Sequence, residues 1–272
     1  MNAVWGTSAT DIYAAGSGTI VHSTGDGAWM HQNPATTARF TGIWGSGPQD
    51  IYISAFSNLI LHTVGDGKWE HTVFAAGRTY EDVWGSGPGD VYAVSGGATR
   101  FKNGTWVEPT ERVSTDGEPL RALWGSSASD VYIAGSGGSV FHSIGDGKWQ
   151  KQVTGATNLQ DITGNGKGDV YALSVTSVFH SIGNGVWTPQ PVPALLDGGT
   201  PEGMRCIWAL DSTAVYVGTS EGRLFRSGGS GSWVAQTIDP AKNGLTVYGI
   251  WGTGTSNLYV ATTAGIYHGS AP

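Results

Sequence analysis

Cysteine is almost absent from this 272-residue chain. Cys206 stands alone, which excludes an intrachain disulfide and a cysteine-held zinc site. Charge is also sparse: 13% of residues are charged, and 21 acidic against 14 basic residues leave a formal net charge of -7. General nucleic-acid binding requires a basic footprint that releases counterions, so that class is set aside. No apolar run reaches the length of a membrane-spanning helix. No signal peptide is expected, because Met1-Asn2 lead straight into the first repeat strand. The 3.6-residue hydrophobic period of an amphipathic helix is missing as well, which predicts a nearly all-β chain.

What the chain has in abundance is glycine, with 44 residues, beside 12 Trp and 10 Tyr. Aromatics at that density exclude a disordered low-complexity chain. They recur in order. Val4-Trp5-Gly6, Ile43-Trp44-Gly45, Val83-Trp84-Gly85, Leu123-Trp124-Gly125, Ile162-Thr163-Gly164, Ile207-Trp208-Ala209 and Ile250-Trp251-Gly252 are seven copies of one motif, spaced by 39, 40, 40, 39, 45 and 43 residues. A period near forty residues with strand-like patterning predicts an all-β, seven-bladed β-propeller of four-stranded blades. The blades run over about 1–34, 35–74, 75–115, 116–154, 155–192, 193–239 and 240–272 as a single domain.

Residues 121–150 show the unit. Arg121-Ala122-Leu123-Trp124 reads as strand a, Val131-Tyr132-Ile133-Ala134 as strand b, Ser139-Val140-Phe141-His142-Ser143 as strand c, and Trp149 opens strand d. Strand a carries Trp5, Trp44, Trp84, Trp124, Trp208 and Trp251. Strand d carries Trp29, Trp69, Trp106, Trp149, Trp187 and Trp233. Aromatics used once per blade are expected to pack between blades. Cys206, beside Ile207-Trp208, reads as a buried structural thiol. The last unit ends at Pro272 with no Trp-led strand d, so blade seven is expected to have three strands and a free edge. The ring then closes by side-chain packing alone, has lost a strand, or takes one from a partner.

The strand c to d turn reads His22-Ser23-Thr24-Gly25-Asp26-Gly27-Ala28-Trp29 and recurs around Asp66, Asp146 and Asn184. It resembles the Asp-box (BNR) hairpin of sialidase-like and Ycf48-like propellers, although it is one residue shorter between Ser and Trp. Asp90-Val91-Tyr92-Ala93-Val94-Ser95-Gly96-Gly97 is also kelch-like. The resemblance implies a folding element away from any active site. A basic position recurs at the end of strand c, at His22, His62, Lys102, His142, His180, Arg226 and His268. These side chains stand on separate blades with no paired spacing, so no metal site or cofactor is expected. Asp11, Asp50, Asp90, Asp130 and Asp169 in the a–b turns read as capping residues.

Ligands of propellers usually meet the face made by the d–a and b–c connections, and in this chain the d–a connections vary most. The residues three before each strand-a Trp position are Asn2, Thr41, Glu81, Arg121, Gln160, Arg205 and Tyr248, all polar or amphipathic. With Arg39, Phe40, Arg78, Tyr80 and Asp82 beside them, they predict a polar ligand site at the channel mouth, taking a glycan or carboxylated molecule. Asp161 adds a second carboxylate next to that ring. Two long d–a connections, 108–120 (with Glu108, Glu111, Arg112, Asp116 and Glu118) and 189–205 (with Leu195-Leu196, Asp197 and Glu202), are further candidates for specificity.

These features favour a non-enzymatic binding module: first a lectin-like propeller of a secreted or surface bacterial protein, extracellular or periplasmic. The alternative is a protein-interaction or assembly scaffold that uses the long loops or the free edge of blade seven. A sialidase-like glycoside hydrolase is the weaker alternative. Arg39, Arg78, Arg121, Arg205, Tyr248, Glu81 and Asp82 offer its residue types, but not in that family's order, and the Phe-Arg-Ile-Pro signature is absent.

Overall fold

The computed structural model describes residues 1–107, 113–114, 116–190, 192, 203–229, 231–239 and 244–269, with only the backbone of residue 236. Among them are seven antiparallel sheets in strict chain order, six of four strands and the last of three. The protein is therefore a seven-bladed β-propeller with a three-stranded seventh blade. Among the described residues, no helix is long and apolar enough to cross a membrane.

Blade four shows the construction. Its strands a to d are Leu120–Ser127, Asp130–Gly135, Ser139–Ser143 and Gln150–Val153. Strand b is wholly buried, because it lies in the middle of its sheet with neighbouring blades on both faces. Strand d is the outer edge and largely exposed. In the c–d turn, Gly145 and Gly147 adopt φ of 83° and 86°, a conformation that a side chain would strain. Between them the Asp146 carboxylate accepts the Lys148 amide at 3.0 Å. Asp26, Asp66 and Asn184 make the same bond in their own blades.

Strand a of each blade lines the channel, and its Trp lies across the next blade. A β-carbon added to Gly45, Gly85, Gly125 or Gly164 would come within 2.5 Å of the ring of Trp5, Trp44, Trp84 or Trp124, respectively. Only glycine permits that approach. Where blade five has Thr163 instead of Trp, blade six has Ala209 instead of Gly, so the two exceptions answer each other. Strand-d tryptophans cover the outer part of the same seams. Trp106 and Trp149 meet Tyr52 and Tyr92 of the preceding blades edge-on. Trp69 and Trp187 donate their Nε1–H groups to Gln32 at 3.0 Å and Gln152 at 2.9 Å, again one blade back.

Among the described residues, blades one and seven meet without a shared strand. A β-carbon on Gly6 would lie 2.7 Å from Trp251, and Trp29 packs edge-on against Tyr259. The Met1 ammonium donates to the Thr262 carbonyl at 2.7 Å, tying blade one to the b–c hairpin of blade seven.

A polar chain centred on an Asp runs through each of blades one to five. Tyr132 stacks on His142, whose Nε2 donates to Asp130 at 2.9 Å, and Ser126 donates to the other Asp130 oxygen at 2.6 Å. Asp11, Asp50 and Asp169 hold His22, His62 and His180 in the same way. These Asp residues therefore clamp strands a and c together, beyond the turn capping expected from the sequence. Burial beside these carboxylates pushes the Tyr13 and Tyr92 phenols up to about 12. In blade three the expected basic residue, Lys102, is displaced. Tyr92 pairs with Arg100, which lies 4.7 Å over the Tyr92 ring and grips Asp90 through two nitrogens at 2.5 and 2.9 Å. The b–c hairpin of blade three is shorter, so Tyr92 faces the residue eight positions on, where Tyr52 and Tyr132 face His62 and His142 ten positions on.

The Trp–Gly contact predicts a coupled pair. Gly125→Ala should cost about 1–3 kcal/mol through overpacking, part of it against the Asp130 carbonyl. Trp84→Thr should cost about 2–4 kcal/mol. Combined, they should cost less than their sum by about 1 kcal/mol, imitating Thr163 and Ala209. Chemical denaturation of the four proteins gives the coupling, and strict additivity would rule out the contact as the reason for glycine.

Candidate functional site

The channel opens on the face of the d–a and b–c connections. Its mouth is ringed by Asn2, Arg39, Thr41, Glu81, Arg121, Gln160 and Tyr248, and Asp82 and Arg205 line the cavity of about 290 Å³ just inside. The ring arises because the chain enters every strand a with its side chain directed to the axis three residues before the Trp. Backbone bonds between neighbouring blades fix these entrances: the Phe40 amide donates to Gly16 at 3.1 Å and the Tyr80 amide to Ala55 at 3.0 Å. Side chains add to this. Asn2 donates to the Phe40 carbonyl at 2.7 Å, and Thr41 donates to the Tyr80 carbonyl at 2.8 Å.

Phe40 and Tyr80 do not reach the mouth. Both are fully buried, at the position that Leu120, Leu159, Met204 and Val247 fill in other blades. They belong to a core ring one residue before the polar one, so their size reflects packing rather than ligand contact. Arg78 lies away from the mouth and lines a neighbouring cleft. Arg39, Glu81, Asp82, Arg121, Gln160, Arg205 and Tyr248 are brought together, along with Asn2 and Thr41.

The arginines of this ring are not all paired. Arg121 lies 3.6 Å from Glu81. Among the described residues, Arg39 and Arg205 make no ion pair; Arg39 instead lies 5.7 Å over the half-exposed Phe56 ring. Burial raises the Glu81 carboxyl, while Arg121 and Arg39 draw it back down.

Asp82 and Asp161 sit deeper. Each bridges two strands: Asp82 accepts the Val83 amide at 2.8 Å and the Leu123 amide of the next blade at 3.0 Å. Asp161 accepts Ile162 and, from the next blade, Ile207, both at 2.8 Å. Loss of bulk solvent raises both carboxyls to about 7 against these hydrogen bonds, and for Asp82 the Asp161 charge adds to the rise. Both keep a partly exposed edge on the channel, so water there moderates the effect. The oxygens of Asp82 and Asp161 are engaged by backbone amides, and Glu81 is the carboxylate of the mouth that faces the arginines.

Beside the mouth lies a larger cleft of about 640 Å³, lined by Arg78, Thr79, Glu81, Ser95, Gly96, Gly97, Val113, Glu118 and Leu120 among others. Glu81 belongs to both spaces. The sequence signal for this cleft is the b–c hairpin of blade three, where Ser95-Gly96-Gly97-Ala98 presents no large side chain. One wall is the end of the long 108–120 connection. Glu118 pins it by accepting the Gly137 and Ser139 amides at 2.6 and 3.2 Å, and Lys151 bonds Asp116 at 2.5 Å. Glu108, Glu111, Arg112, Leu195-Leu196, Asp197 and Glu202 lie outside the described residues.

The raised carboxyls set a pH dependence. The folded state holds protons on Asp82 and Asp161 more tightly than the unfolded chain. Their stabilising contribution is thus full below the ordinary carboxylate range and is lost as pH rises through about 7. After allowance for channel water, unfolding free energy should fall by roughly 2–4 kcal/mol between pH 5 and 8 on this account. The variant carrying Asp82→Asn and Asp161→Asn should lose that slope. It should also be less stable at pH 5, because an amide nitrogen cannot accept a backbone N–H. Urea melts across the pH range test this, and an unchanged slope in the variant would contradict the assignment.

No family model matches the sequence, and no curated protein matches it. Solved structures do. A Ycf48 structure bound to D1 peptide shares 15% identity, with 99% of this chain and 92% of that chain covered and a TM-score of 0.78. Catalytically inactive virginiamycin B lyase from Staphylococcus aureus with quinupristin shares 11% identity over 97% and 92% of the two chains, at a TM-score of 0.81. The WD40 β-propeller domain of Doa1 shares 11% identity over 98% and 91%, at 0.78. At these identities the likeness is one of fold: this chain is similar to all three as a seven-bladed propeller.

Proposed function

We propose that this propeller is a protein-interaction module that binds an acidic, extended peptide segment across the channel mouth and the adjoining cleft. The observation that carries the reading is the charge excess at the mouth. Arg39, Arg121 and Arg205 converge there in a chain whose net charge is -7; among the described residues Arg39 and Arg205 make no ion pair, and Asp82 and Asp161 are engaged by backbone amides. The cleft supports it, because glycine and serine walls let a backbone approach closely while Glu81 joins cleft to mouth. The Ycf48 structure bound to D1 peptide agrees with peptide recognition on this fold.

A carbohydrate site has less support. Sugars are held by exposed aromatic faces. Here Phe40 and Tyr80 are core, and the tryptophans turn into the seams. Tyr248 and Phe56 are left as the aromatics exposed on this face among the described residues. The lectin reading of the sequence gives way to its protein-binding alternative.

The test is a display library of peptides screened on the purified protein, followed by anisotropy titration of the selected sequences. Enrichment of Asp- and Glu-containing peptides is expected, with affinity that falls as salt rises. Arg121→Ala and Arg205→Ala should each weaken binding by about tenfold or more, the worth of a charge-assisted hydrogen bond. Selection of neutral peptides, or equal affinity in both variants, would count against the site.

A further inference from the structure

Two glycines of the cleft meet no demand of the fold. Gly96 and Gly97 form the b–c hairpin of blade three. Neither has a positive φ, and a β-carbon on either would meet nothing within 4 Å. Other b–c hairpins use glycine because they must. Gly18, Gly138 and Gly222 have φ of 64°, 90° and 77°, and Thr37, Ala156 and Leu245 of the following connections crowd them.

Ser95, next to them, also breaks the pattern. It stands three residues after Tyr92, where blades five, six and seven have Ser174, Thr219 and Thr262. Those hydroxyls close their own hairpins. Ser174 accepts the Thr176 and Ser177 amides at 3.3 and 3.0 Å, and Thr219 accepts the Glu221 and Arg223 amides at 3.3 and 3.1 Å. Thr262 accepts the Ala264 amide at 3.1 Å. The shorter hairpin of blade three closes through its backbone, with the Ser95 amide donating to the Gly97 carbonyl at 2.8 Å. Among the described residues the Ser95 hydroxyl makes no hydrogen bond, although Ser95 is only 5% exposed and lines the cleft. A polar side chain so buried ordinarily has a partner.

Blade four shows what such a hairpin can hold. There Glu118 lays its carboxylate on the Gly137 and Ser139 amides, and a β-carbon on Gly135 or Gly137 would strike it. Glu118 lies three residues before Arg121 of the mouth. Three residues before Glu81, blade three has Arg78, so the chain brings a cation to this hairpin where blade four brings a carboxylate. The carboxylates lining the cleft are engaged elsewhere: Glu118 in blade four, and Glu81 with Arg121 at 3.6 Å.

We propose that Ser95-Gly96-Gly97 is the subsite that seats a carboxylate of the peptide. The Ser95 hydroxyl and the Gly96 and Gly97 amides are its donors, and Arg78 is the neighbouring positive charge. Among the described residues neither glycine amide donates a hydrogen bond. Glycine keeps the approach open here, as Gly135 and Gly137 do for Glu118. The assignment rests on the peptide-binding reading and names the point where the peptide's acid is held. The carboxylate comes from an Asp or Glu side chain or from a chain end.

The experiment titrates three small probes into isotope-labelled protein and follows the amide signals of Gly96 and Gly97. N-acetylaspartate N-methylamide carries a side-chain carboxylate, N-acetylalanine a terminal one, and N-acetylasparagine N-methylamide neither. A carboxylate probe should shift both glycine signals saturably and the asparagine probe should not; the tighter of the two carboxylates identifies the source. Ser95→Ala should weaken binding by about tenfold. Gly97→Ala should weaken it as much, yet leave the melting temperature unchanged or raised, because no atom of the fold meets the new methyl. Saturable shifts confined to Arg121 and Arg205 would overturn this subsite and leave the peptide reading standing. No saturable shift anywhere, an equal response to the asparagine probe, full affinity in Ser95→Ala, or a lower melting temperature in Gly97→Ala would also overturn it. The peptide screen decides the wider reading separately.

Discussion

In five of the seven seams the edge of an indole from one blade reaches a glycine of the next, where any side chain would collide with it. The contact limits the distance between blades, since only glycine leaves room for the indole edge. Repeated round the axis, it fixes where each strand a enters the channel and hence where the polar ring at the mouth points. Thr163 and Ala209 show the constraint from the other side. Where the indole is absent, a methyl group returns.

Two layers of chemistry hang on that frame. Below the mouth, Asp, His or Arg, Ser or Thr, and Tyr tie the strands of each of blades one to five together, so the histidines that recur through the sequence are occupied within their own blades. At the mouth, the repeat breaks. Two positions before the Trp position of strand a, five blades carry Ala3, Gly42, Ala122, Cys206 and Gly249, all small, where blades three and five supply Asp82 and Asp161, and the neighbouring position brings Glu81, Arg121 and Arg205. Departure from a structural repeat costs stability unless something offsets it. For Asp82 and Asp161, four backbone amides do so in part.

Much of this was legible in the chain alone, because a repeat displays each structural demand several times. The seven blades, the three-stranded last one, the seam tryptophans and the polar mouth all follow from positions that recur or conspicuously fail to. What was not legible depended on register or on empty space. Lys102 was aligned by its distance from the turn, but a shortened hairpin moves Arg100 into the pairing position. Phe40 and Tyr80 differ from the polar ring by a single residue, and in a strand one residue separates core from channel. The cleft beside Glu81 is made of residues that are small, and spacing patterns do not reveal what small residues leave open.

The central claim is that packing across the seams, with the Trp–Gly contacts at its centre, binds the ring into one cooperative unit, although no strand is shared between blade one and blade seven among the described residues. Native-state hydrogen exchange in low denaturant tests it most directly, by measuring the opening free energy of the inner strands one by one. The account predicts a single value for strand a of all seven blades, with Ala3–Ser8 and Val247–Gly254 as protected as Leu120–Ser127. Markedly lower values confined to blades one and seven would mean that the ring opens at that junction, and would contradict closure by packing.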